Sequence, residues 1–561
     1  MTRNTINVLI GGEAGQGLVT IGEILTKSVA RSGYSVVVTQ SYQSRIRGGH
    51  NSFAIRMGAD EVIAPQEAVD ILVPLDKDTV RIHREELSPW GLIIMDEALD
   101  IADDQGIKVP FKQWAPDKFL NIAALGVVSY LIGLDEELVS QTMNKFFDKM
   151  DQETVKENRL VLEKAFRWTA DQPLSFQKLP RVSHASDRLV MNGNEAIALG
   201  ALSAGLKFYS FYPMTPATSI AVNLAGKSEK MGIIVEQAED EIAAINMAIG
   251  ASFTGAPSMV GTSGGGFALM TEGVSLAAMT ETPIVIVVSQ RPAPATGLPT
   301  RTEQSDMELV LHSGHGEFPR AIFAPGTVEE CFYLTRKAFE LAERYQGPIF
   351  ILTDQFFADS YRAIDPFDIE DMSPVNPSYA LTSSSSPYRR YAFTDSGISQ
   401  RMLPGISKHL VVADSDEHSE DGHITEDLTV RQRMVEKRLK KGEGIKAEVL
   451  PPQLQGDEKP DMVLVSWGSS KGAVLEAASQ MRSNGKRIAT LHFTQVWPLV
   501  SEQFSEHLQK TRELVCIEGN ATGQLARLIR RETGVLIAKQ VLRYDGLPIT
   551  PEYILRKLCS N

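Results

Sequence analysis

The stretch FYPMTPATS at residues 211–219 follows an apolar, strand-like run and precedes a helical one. Proline fixes its own φ angle and restricts the residue before it to extended geometry, so the backbone of Met214 and Thr215 has few conformations available. We therefore predict a stiff loop between a strand and a helix that holds the Thr215 hydroxyl in place, as a binding site requires. The alternative is an ordinary loop in which Thr218 or Ser219 caps the following helix.

On both sides of this loop, short strand-like runs alternate with longer amphipathic segments. This alternation favours βα units and parallel sheets, so we predict a multidomain α/β fold. Breaks in the pattern predict a first domain over 1–180, a second over 187–366, a connector over 367–460 and a smaller final domain over 461–561. The connector contains Ser383 to Ser386, several prolines and a basic helix ending KRLKK at 437–441.

The composition indicates an ordinary globular protein. The chain has 561 residues, 43% hydrophobic and 22% charged, with a formal net charge of -14, which disfavours nucleic acid as a partner. Its cysteines, Cys331, Cys516 and Cys559, are too few and scattered for a disulfide framework, a zinc site or an iron–sulfur cluster, so we expect a reducing cytoplasm. We expect neither secretion nor membrane insertion, because the strongest apolar runs are far shorter than a bilayer span.

An acidic cluster precedes a helix of small, apolar residues, AAINMAIGA at 243–251. The helix macrodipole favours acids in a first turn, so Glu236, Glu239 and Asp240 need no functional explanation. Glu241 differs because it directly precedes a helix face on which something should pack closely, and a carboxylate there would be partly desolvated. We predict a functional role for Glu241, with a helix-capping acid as the alternative.

A glycine-rich turn, GTSGGG at 261–266, lies between a predicted strand and a predicted helix. It formally matches the G-x-S-x-G pattern of the nucleophile elbow in α/β-hydrolases. Because Ser263, Asp354 and His492 occur in the Ser, Asp, His order of those enzymes, a serine hydrolase is a second hypothesis. The pattern is weakly specific in a chain with 43 glycines, and His492 lies in the predicted final domain.

A loop rich in proline and hydroxyl groups, residues 290–306, follows the strand-like run 283–289. Loops at the carboxyl ends of parallel strands carry the ligand sites of α/β folds. Arg291 and Arg301 provide two guanidinium groups in this loop, which suit a carboxylate. The alternative is a surface loop with solvated arginines.

Near the amino terminus, the turn GGEAGQG at 11–17 follows a predicted strand. Its spacing fits neither the dinucleotide fingerprint nor the P-loop. Anion binding by backbone amides and close strand-to-helix packing both explain these glycines. Arg45 and Arg47 stand beside a second glycine turn, for which we favour a domain interface over a phosphate site.

Taken together, the motifs resemble those of the α subunit of 2-oxoacid:ferredoxin oxidoreductases. The matching motifs are GNEA at 193–196, YPMTP at 212–216, Glu241 with Gly250-Ala251, and GLPTRTEQ at 297–304. The loop 11–17 with Arg47-Gly48-Gly49 resembles the γ subunit of that family, here fused ahead of α. The final domain, with EGN at 518–520 and GQ at 523–524, is similar to the transketolase C-terminal-like domain. Met214 stands where the family usually has Ile, a change that conserves side-chain volume.

This resemblance implies an enzyme that uses thiamine diphosphate to decarboxylate a 2-oxoacid, reduces ferredoxin and transfers the acyl group to coenzyme A, or catalyses the reverse carboxylation. Glu241 matches the glutamate that bonds to the aminopyrimidine ring of the cofactor and promotes its deprotonation. Thr215 matches the threonine that contacts the substrate, and Arg301 the arginine that faces the substrate carboxylate. The further residues implied are Arg291, Tyr212, Pro213 and Thr302 at the substrate, and Thr262 and Ser263 at the cofactor.

The sequence contains no Gly-Asp-Gly motif, with which this cofactor family holds the diphosphate and Mg²⁺. We therefore expect the chain to carry the pyrimidine half of an active site, to hold no metal, and to be inactive alone. A separate β subunit is expected to supply the diphosphate site, Mg²⁺ and a [4Fe-4S] cluster, in an (αβ)₂ heterotetramer.

The predicted substrate is 2-oxoglutarate, because the 297–304 loop looks most like that of the 2-oxoglutarate enzymes and two arginines suit two carboxylates. Pyruvate and branched-chain 2-oxoacids are the alternatives. A non-catalytic structural partner is a third hypothesis, disfavoured by the joint presence of Glu241, Thr215 and Arg301. The run Asp416-Glu417-His418, with His423, is predicted to be a solvated loop, with a metal site as the alternative.

Overall fold

The computed structural model describes residues 4–43, 49–114, 119–148, 150–174, 176–182, 187–370, 372–375, 388–406 and 408–559. Arg45, Arg47 and the run Ser383 to Ser386 lie outside the described residues. The chain divides into two compact units. The first unit is Met1–Asn192 with Asp359–Phe367 and Thr550–Leu555, and the second is Gly193–Ala358 with Asp368–Ile549 and Arg556–Asn561.

The strands of the described residues follow the predicted alternation. In chain order they are β1 (Thr5–Glu13), β2 (Ser35–Ser41), β3 (His50–Gly58), β4 (Val69–Pro74), β5 (Leu87–Asp96), β6 (Gly106–Val109), β7 (Leu189–Met191), β8 (Phe208–Phe211), β9 (Ile234–Gln237), β10 (Ser258–Thr262), β11 (Ile284–Gln290), β12 (Ala321–Phe323), β13 (Pro348–Asp354), β14 (Arg362–Ile364), β15 (Gln453–Gly456), β16 (Met462–Trp467), β17 (Ile488–Phe493), β18 (Gln495–Trp497), β19 (Glu513–Glu518) and β20 (Lys539–Leu542).

The α-helices of the described residues lie between these strands or, for α20, after the last of them. In chain order they are α1 (Leu18–Arg31), α2 (Lys77–His83), α3 (Phe111–Trp114), α4 (Leu120–Ile132), α5 (Glu136–Phe146), α6 (Gln152–Asp171), α7 (Gly193–Ser203), α8 (Thr218–Ala225), α9 (Ser228–Met231), α10 (Glu241–Phe253), α11 (Gly264–Leu269), α12 (Thr271–Met279), α13 (Met307–His312), α14 (Val328–Tyr345), α15 (Gln355–Asp359), α16 (Leu428–Ala447), α17 (Lys471–Ser483), α18 (Ser505–Gln509), α19 (Gln524–Thr533) and α20 (Pro551–Cys559).

The first unit is built on a mixed eight-stranded sheet in the order β6-β5-β4-β1-β3-β2-β14-β7. β1 pairs in parallel with β4 and antiparallel with β3. Gly11 and Gly12, predicted to lie in a turn after this strand, are part of β1 itself. Close packing accounts for both: a Cβ on Gly11 would lie 2.5 Å from Cγ2 of Thr79, and one on Gly12 would lie 2.9 Å from Cβ of Leu75. Gly17, which precedes α1, has a φ of 77°, a conformation that favours glycine.

The second unit contains a seven-stranded sheet in the order β18-β12-β13-β11-β10-β8-β9. Its neighbouring strands pair in parallel, except for β18, which pairs antiparallel with β12. β10, β11 and β13 are buried along their whole length, as expected for strands covered on both faces. Parallel pairing aligns the carboxyl ends of β8, β9, β10 and β11 along one edge of this sheet.

A five-stranded sheet, in the order β15-β17-β16-β19-β20, also belongs to the second unit. All its pairs are parallel except that between β15 and β17. Val465 and Leu491 from this sheet belong to the same buried hydrophobic cluster as Val260 and Ile286 from the seven-stranded sheet. The two sheets therefore share one core, and the predicted α/β class is confirmed.

Within the described part of the chain, the connector differs in part from the prediction. The expected basic helix is present as α16, but Lys437, Arg438 and Lys441 on it are buried. His418 is also buried, so the solvated-loop interpretation is wrong for this residue; its Nδ1 lies 3.0 Å from the carbonyl oxygen of Asp416. The carboxylate of Glu417 accepts hydrogen bonds from Arg438 at 2.8 and 3.0 Å, which engages the oxygens that a metal would need.

Among the described residues, no group of three or more His, Cys, Asp and Glu side chains is placed to hold a metal ion. No described helix has the length and apolar character required to cross a bilayer.

Candidate active site

Four loops meet where β8, β9, β10 and β11 end. They carry Thr215 after β8, Glu241 after β9, Ser263 after β10 and Arg291 after β11. Because these strands are parallel neighbours, their following loops lie along one edge of the sheet, where α/β folds bind ligands. The structure thus places most of the predicted site residues on adjacent loops.

Glu241 begins α10 as a buried carboxyl group. Asp240, just before it, caps the helix by accepting a hydrogen bond from the amide of Ala243 at 2.7 Å. Glu241 is 3% exposed, and its Oε1 has no hydrogen-bond partner among the described residues. Burial raises the pKa of Glu241 above its ordinary value; a hydrogen bond from its own backbone amide opposes this shift, and the nearby charge of Asp240 adds to it. Capping is therefore the role of Asp240, and Glu241 is left for another partner.

A cradle lined by Glu241, Thr262 and Gly266 surrounds this carboxyl group. A Cβ on Gly266 would lie 2.1 Å from Oγ1 of Thr262 and 2.4 Å from Oε1 of Glu241. Thr262 is fully buried, and its Oγ1 also has no partner among the described residues. Buried polar groups are normally hydrogen-bonded, so two unpartnered oxygens at one glycine indicate a site for a ligand with its own hydrogen-bonding groups. A nitrogen-rich ring such as an aminopyrimidine fits this donor and acceptor set.

The loop with Thr215 is held from two sides. Nη1 of Arg291 donates to the carbonyl oxygen of Thr215 at 2.7 Å. Nδ2 of Asn194 donates to the carbonyl oxygen of Pro216 at 2.9 Å and to Oγ of Ser219 at 2.7 Å. The Thr215–Pro216 peptide bond is cis, and Thr215 itself is half-buried. The predicted fixed loop is present, and Asn194, which we had not predicted as a site residue, is one of its anchors.

Tyr212 and Pro213, at the start of the same loop, are exposed. They lie close to Thr215 in the chain, but the described residues of the second unit do not bury their side chains. A substrate contact from these two residues stays a prediction.

Two buried groups of the 290–306 loop, an arginine and an aspartate, influence each other's pKa. Arg291 and Asp306 are each 7% exposed. Burial lowers the pKa of Arg291, an effect that the charge of Asp306 opposes. Burial and the charge of Glu303 raise the pKa of Asp306 to about 6, although Arg291 acts in the opposite direction. Arg291 is therefore engaged within the protein, which weakens its candidacy as a second substrate contact.

Asp306 is a polar group that sequence reasoning missed. Its Oδ2 has no partner among the described residues, and a Cβ on Gly264 would lie only 2.2 Å from this oxygen. From the sequence, an acid directly before α13 looks like a helix cap, but the side chain of Asp306 makes no capping hydrogen bond. Its position at the end of the 290–306 loop, which also carries Arg291 and Arg301, could have indicated from the sequence that Asp306 belongs to the site.

Arg301 and Thr302 lie further along this loop. Arg301 is half-buried, and a Cβ on Gly546 would lie 3.1 Å from its Cβ. Thr302 is 8% exposed, and its hydroxyl accepts a hydrogen bond from the amide of Phe356 at 3.3 Å. The contacts of Thr302 are thus structural.

The catalytic triad of a serine hydrolase is not assembled. Oγ of Ser263 is buried without a partner among the described residues. Nδ1 of His492 pairs with Oγ of Ser466 at 2.9 Å, and Asp354 accepts a hydrogen bond from Ser469. A nucleophile needs its base within hydrogen-bond reach and the base needs an orienting acid, so the hydrolase hypothesis is wrong.

Comparisons with known proteins agree on one family. The chain is 30% identical to a 2-oxoacid:ferredoxin oxidoreductase subunit alpha from Sulfolobus sp, over 96% of this chain and 94% of that protein. This chain belongs to the family of 2-oxoacid:ferredoxin oxidoreductase α subunits. It is also 31% identical to the 2-oxoglutarate synthase subunit KorA of Methanothermobacter marburgensis, over 66% of this chain and 99% of that protein.

A solved structure resembles this α subunit over its whole length. It is a 2-oxoglutarate:ferredoxin oxidoreductase from Magnetococcus marinus with 2-oxoglutarate, coenzyme A and succinyl-CoA bound, with a TM-score of 0.94 and 29% identity over 100% of this chain and 99% of that one. Residues 199–437 match the family described as "Pyruvate flavodoxin/ferredoxin oxidoreductase, thiamine diP-bdg". Residues 7–168 match "Pyruvate ferredoxin/flavodoxin oxidoreductase". The family predicted from the sequence motifs is confirmed.

Proposed function

We propose that this α subunit supplies the aminopyrimidine half of a thiamine diphosphate site. The enzyme would convert 2-oxoglutarate and coenzyme A to succinyl-CoA and CO₂ with reduction of ferredoxin, or catalyse the reverse. The observation that carries the proposal is the buried, unpartnered Oε1 of Glu241 beside the unpartnered Oγ1 of Thr262, in a cradle that a single methyl group on Gly266 would fill. In this proposal, residues 187–366 form the pyrimidine-type domain, 1–180 a γ-type domain, 367–460 the connector and 461–561 the transketolase C-terminal-like domain.

Glu241 and Thr262, with Ser263 beside them, would hold the aminopyrimidine ring. When bound, thiamine diphosphate supplies the electron sink that makes decarboxylation of a 2-oxoacid feasible. Because burial raises its pKa, the carboxyl group of Glu241 keeps its proton closer to neutral pH than an exposed glutamate does. A protonated carboxyl can donate to a ring nitrogen, which a carboxylate cannot.

The Thr215 hydroxyl and the Arg301 guanidinium would bind and orient the 2-oxoacid. Thr215 is on a loop fixed by Arg291 and Asn194, so its position is set before a ligand binds. A guanidinium recognises a carboxylate by paired hydrogen bonds and disfavours neutral ketones. We propose 2-oxoglutarate as the substrate, because both an enzyme for 2-oxoglutarate and a 2-oxoglutarate synthase subunit resemble this chain; pyruvate and branched-chain 2-oxoacids are the alternatives.

A β subunit would complete the enzyme. We propose that it holds Mg²⁺, the diphosphate group and a [4Fe-4S] cluster, and that the cytoplasmic complex is an (αβ)₂ heterotetramer that reduces ferredoxin. The sequence lacks a Gly-Asp-Gly motif, and among the described cysteines Cys331 and Cys516 are buried and unpaired. Both observations support a partner subunit that holds the diphosphate and the iron–sulfur cluster.

Substitution of Glu241 by Gln in the co-expressed complex tests this proposal. The turnover of 2-oxoglutarate should fall by about 10²–10⁴-fold, the usual contribution of a positioned acid or base, while the complex still assembles. The control is Glu458→Gln, an exposed acid in the loop before β16, which should leave turnover unchanged. Full activity in Glu241→Gln would favour the non-catalytic structural role, and activity of this chain purified alone would defeat the shared site.

A further inference from the structure

Gln304 has all of its polar groups bonded to the segment of the chain that carries the five-stranded sheet. Its amide donates to the carbonyl oxygen of Gly519 at 2.6 Å, and its Oε1 accepts from the amide of Gly519 at 2.8 Å. Its Nε2 donates to the carbonyl oxygen of Trp467 at 3.0 Å, and its own carbonyl oxygen accepts from Nδ2 of Asn520 at 3.1 Å. The side chain is 3% exposed. One residue of the loop that follows β11 is therefore fully hydrogen-bonded by the last residue of β16 and the residues that follow β19.

The residues that receive Gln304 are themselves fixed. Glu518 is fully buried, and its Oε2 accepts from Nε1 of Trp467 at 3.0 Å and from Nδ2 of Asn520 at 2.9 Å. The same oxygen accepts from the amide of Leu525, at the start of α19, at 2.9 Å. A charged acceptor with three donors makes strong, directional bonds. The positions of the donors and acceptors around Gln304 are therefore set by contacts within the five-stranded sheet and with α19.

Two glycines make room for the Gln304 side chain. A Cβ on Gly468 would lie 2.8 Å from its Nε2, and a Cβ on Gly519 would lie 3.1 Å from its Oε1. Both glycines stand at strand ends, Gly468 after β16 and Gly519 after β19. The receiving surface is shaped for this side chain.

Residues on either side of Gln304 are also hydrogen-bonded to the segment that carries the five-stranded sheet. Nε2 of Gln524 donates to the carbonyl oxygen of Ser305 at 2.7 Å, and its Oε1 accepts from the amide of Glu308 at 3.1 Å. The amide of Thr302 donates to the carbonyl oxygen of Gly546 at 3.2 Å. The attached stretch runs between Arg301 and Asp306, so the segment that carries these side chains cannot move without breaking the bonds of Gln304.

We propose that Gln304 is a positioning residue and that the segment 461–549 is a fixed template for the 297–306 loop, which presents Arg301 to the 2-oxoacid. This proposal rests on the proposed function for the substrate role of Arg301. The template acts on substrate affinity, because the loop lies on it. It leaves the side chains of the Glu241 cradle in place, because Thr262 belongs to β10 and Gly266 to α11, outside this loop. Residues far from the reacting atoms thus set the KM of the enzyme for its 2-oxoacid.

The test compares Gln304→Met with wild type in the assembled complex. Methionine keeps the length and volume of the side chain and removes its donor and acceptor, so an effect reports the hydrogen bonds rather than the packing. The KM for the 2-oxoacid should rise by at least about tenfold while kcat changes less than about threefold, and the affinity for thiamine diphosphate should stay unchanged. Hydrogen exchange of the amides in 297–306 should become faster without substrate. Gln480→Ala, an exposed glutamine on α17, is the matched control.

Asn520→Ala removes the hydrogen bond that the template donates to the carbonyl oxygen of Gln304. This variant replaces Gln304→Met in the test if the complex with Gln304→Met fails to assemble. It should raise the KM and the loop exchange in the same direction, and the double variant should show less than the product of the two effects. Unchanged KM and unchanged exchange in either assembled variant would overturn the proposal. A wild-type complex that decarboxylates no 2-oxoacid would defeat the proposed function instead, and the exchange comparison would still decide whether the template fixes the loop.

Discussion

Two glutamates of the second unit are almost completely buried and are treated in opposite ways. Glu241 is 3% exposed with an Oε1 that has no partner among the described residues, and burial raises its pKa. Glu281 is 0% exposed and accepts hydrogen bonds from Nζ of Lys437 at 2.6 and 2.8 Å and from Nζ of Lys441 at 2.9 Å. Burial alone would raise the pKa of Glu281, but the ammonium groups of Lys441 and Lys437 hold it well below its ordinary value.

The presence or absence of hydrogen-bond partners distinguishes the two carboxyl groups: that of Glu281 has a structural role, and that of Glu241 is kept for a ligand. Around Glu281, Arg390 adds bonds to the Glu281 carbonyl oxygen at 2.6 Å and to Oε1 of Gln346 at 3.0 Å. This cluster joins α16 of the connector to the loop after α12, and every charge in it has a partner. Around Glu241, two oxygens lack partners within the described ranges and a glycine keeps the space open. Unsatisfied buried polar groups oppose folding, so their presence at one site is an indication of function.

The largest expected effect is the loss of the partnered carboxylate. Glu281→Gln leaves Lys437 and Lys441 buried without a counter-charge, and breaking a buried ion pair in this way costs about 3–5 kcal/mol. By scanning calorimetry at pH 7, the transition of the second unit should move down by about 5 °C. Glu443→Gln, an exposed acid on the same helix α16, should leave it unchanged. An unaltered transition in Glu281→Gln would show that the cluster contributes no stability.

A smaller effect is expected when the open cradle is filled. In Gly266→Ala the new methyl group would meet Thr262 and Glu241, so we expect a loss of about 1–3 kcal/mol, typical of overpacking, and impaired binding of thiamine diphosphate to the complex. Gly250→Ala is the control: this glycine lies on α10, is exposed, and has open space within 4 Å of the position that a Cβ would take. Because alanine favours helices, Gly250→Ala should keep or raise the transition temperature. Equal behaviour of the two variants would contradict the cradle.

The sequence predicts the first of these glutamates better than the second. Small, apolar residues follow Glu241 closely in the sequence, so the partial desolvation of its carboxyl group could be predicted from its neighbours. Lys437 lies 156 residues from Glu281, and on a helix rich in Lys and Arg it looks like an ordinary solvated charge. Pairing over such a separation leaves no local signature, and for that reason the burial of α16 was missed.

The template for the 297–306 loop was missed for the same reason. Gln304 bonds to Trp467 and Asn520, which lie 163 and 216 residues further along the chain. By contrast, the strands, the loops at their carboxyl ends and the fixed Thr215 loop depend on local periodicity and on proline, and these were predicted.

The smallest effect, and the sharpest comparison of the two glutamates, is the pH dependence of stability in Glu241→Gln. Burial raises the folded pKa of Glu241 above its unfolded value of about 4.3, so its contribution to stability is fully present below that pH and is lost as the pH rises through the folded pKa. The isolated Gln variant should therefore match wild type near pH 4 and become more stable than wild type, by about 1 kcal/mol, at pH 7–8. Glu281 has a lowered pKa, so its contribution is present above the unfolded pKa and is lost as the pH falls; the deficit of Glu281→Gln should shrink in acid. Relative to wild type, the transition temperature of Glu241→Gln should therefore rise from pH 4 to 8, whereas that of Glu281→Gln should stay nearly constant over this range and recover only below about pH 4. A Glu241→Gln variant that is less stable than wild type at pH 7 would show that this carboxyl group has a structural partner after all.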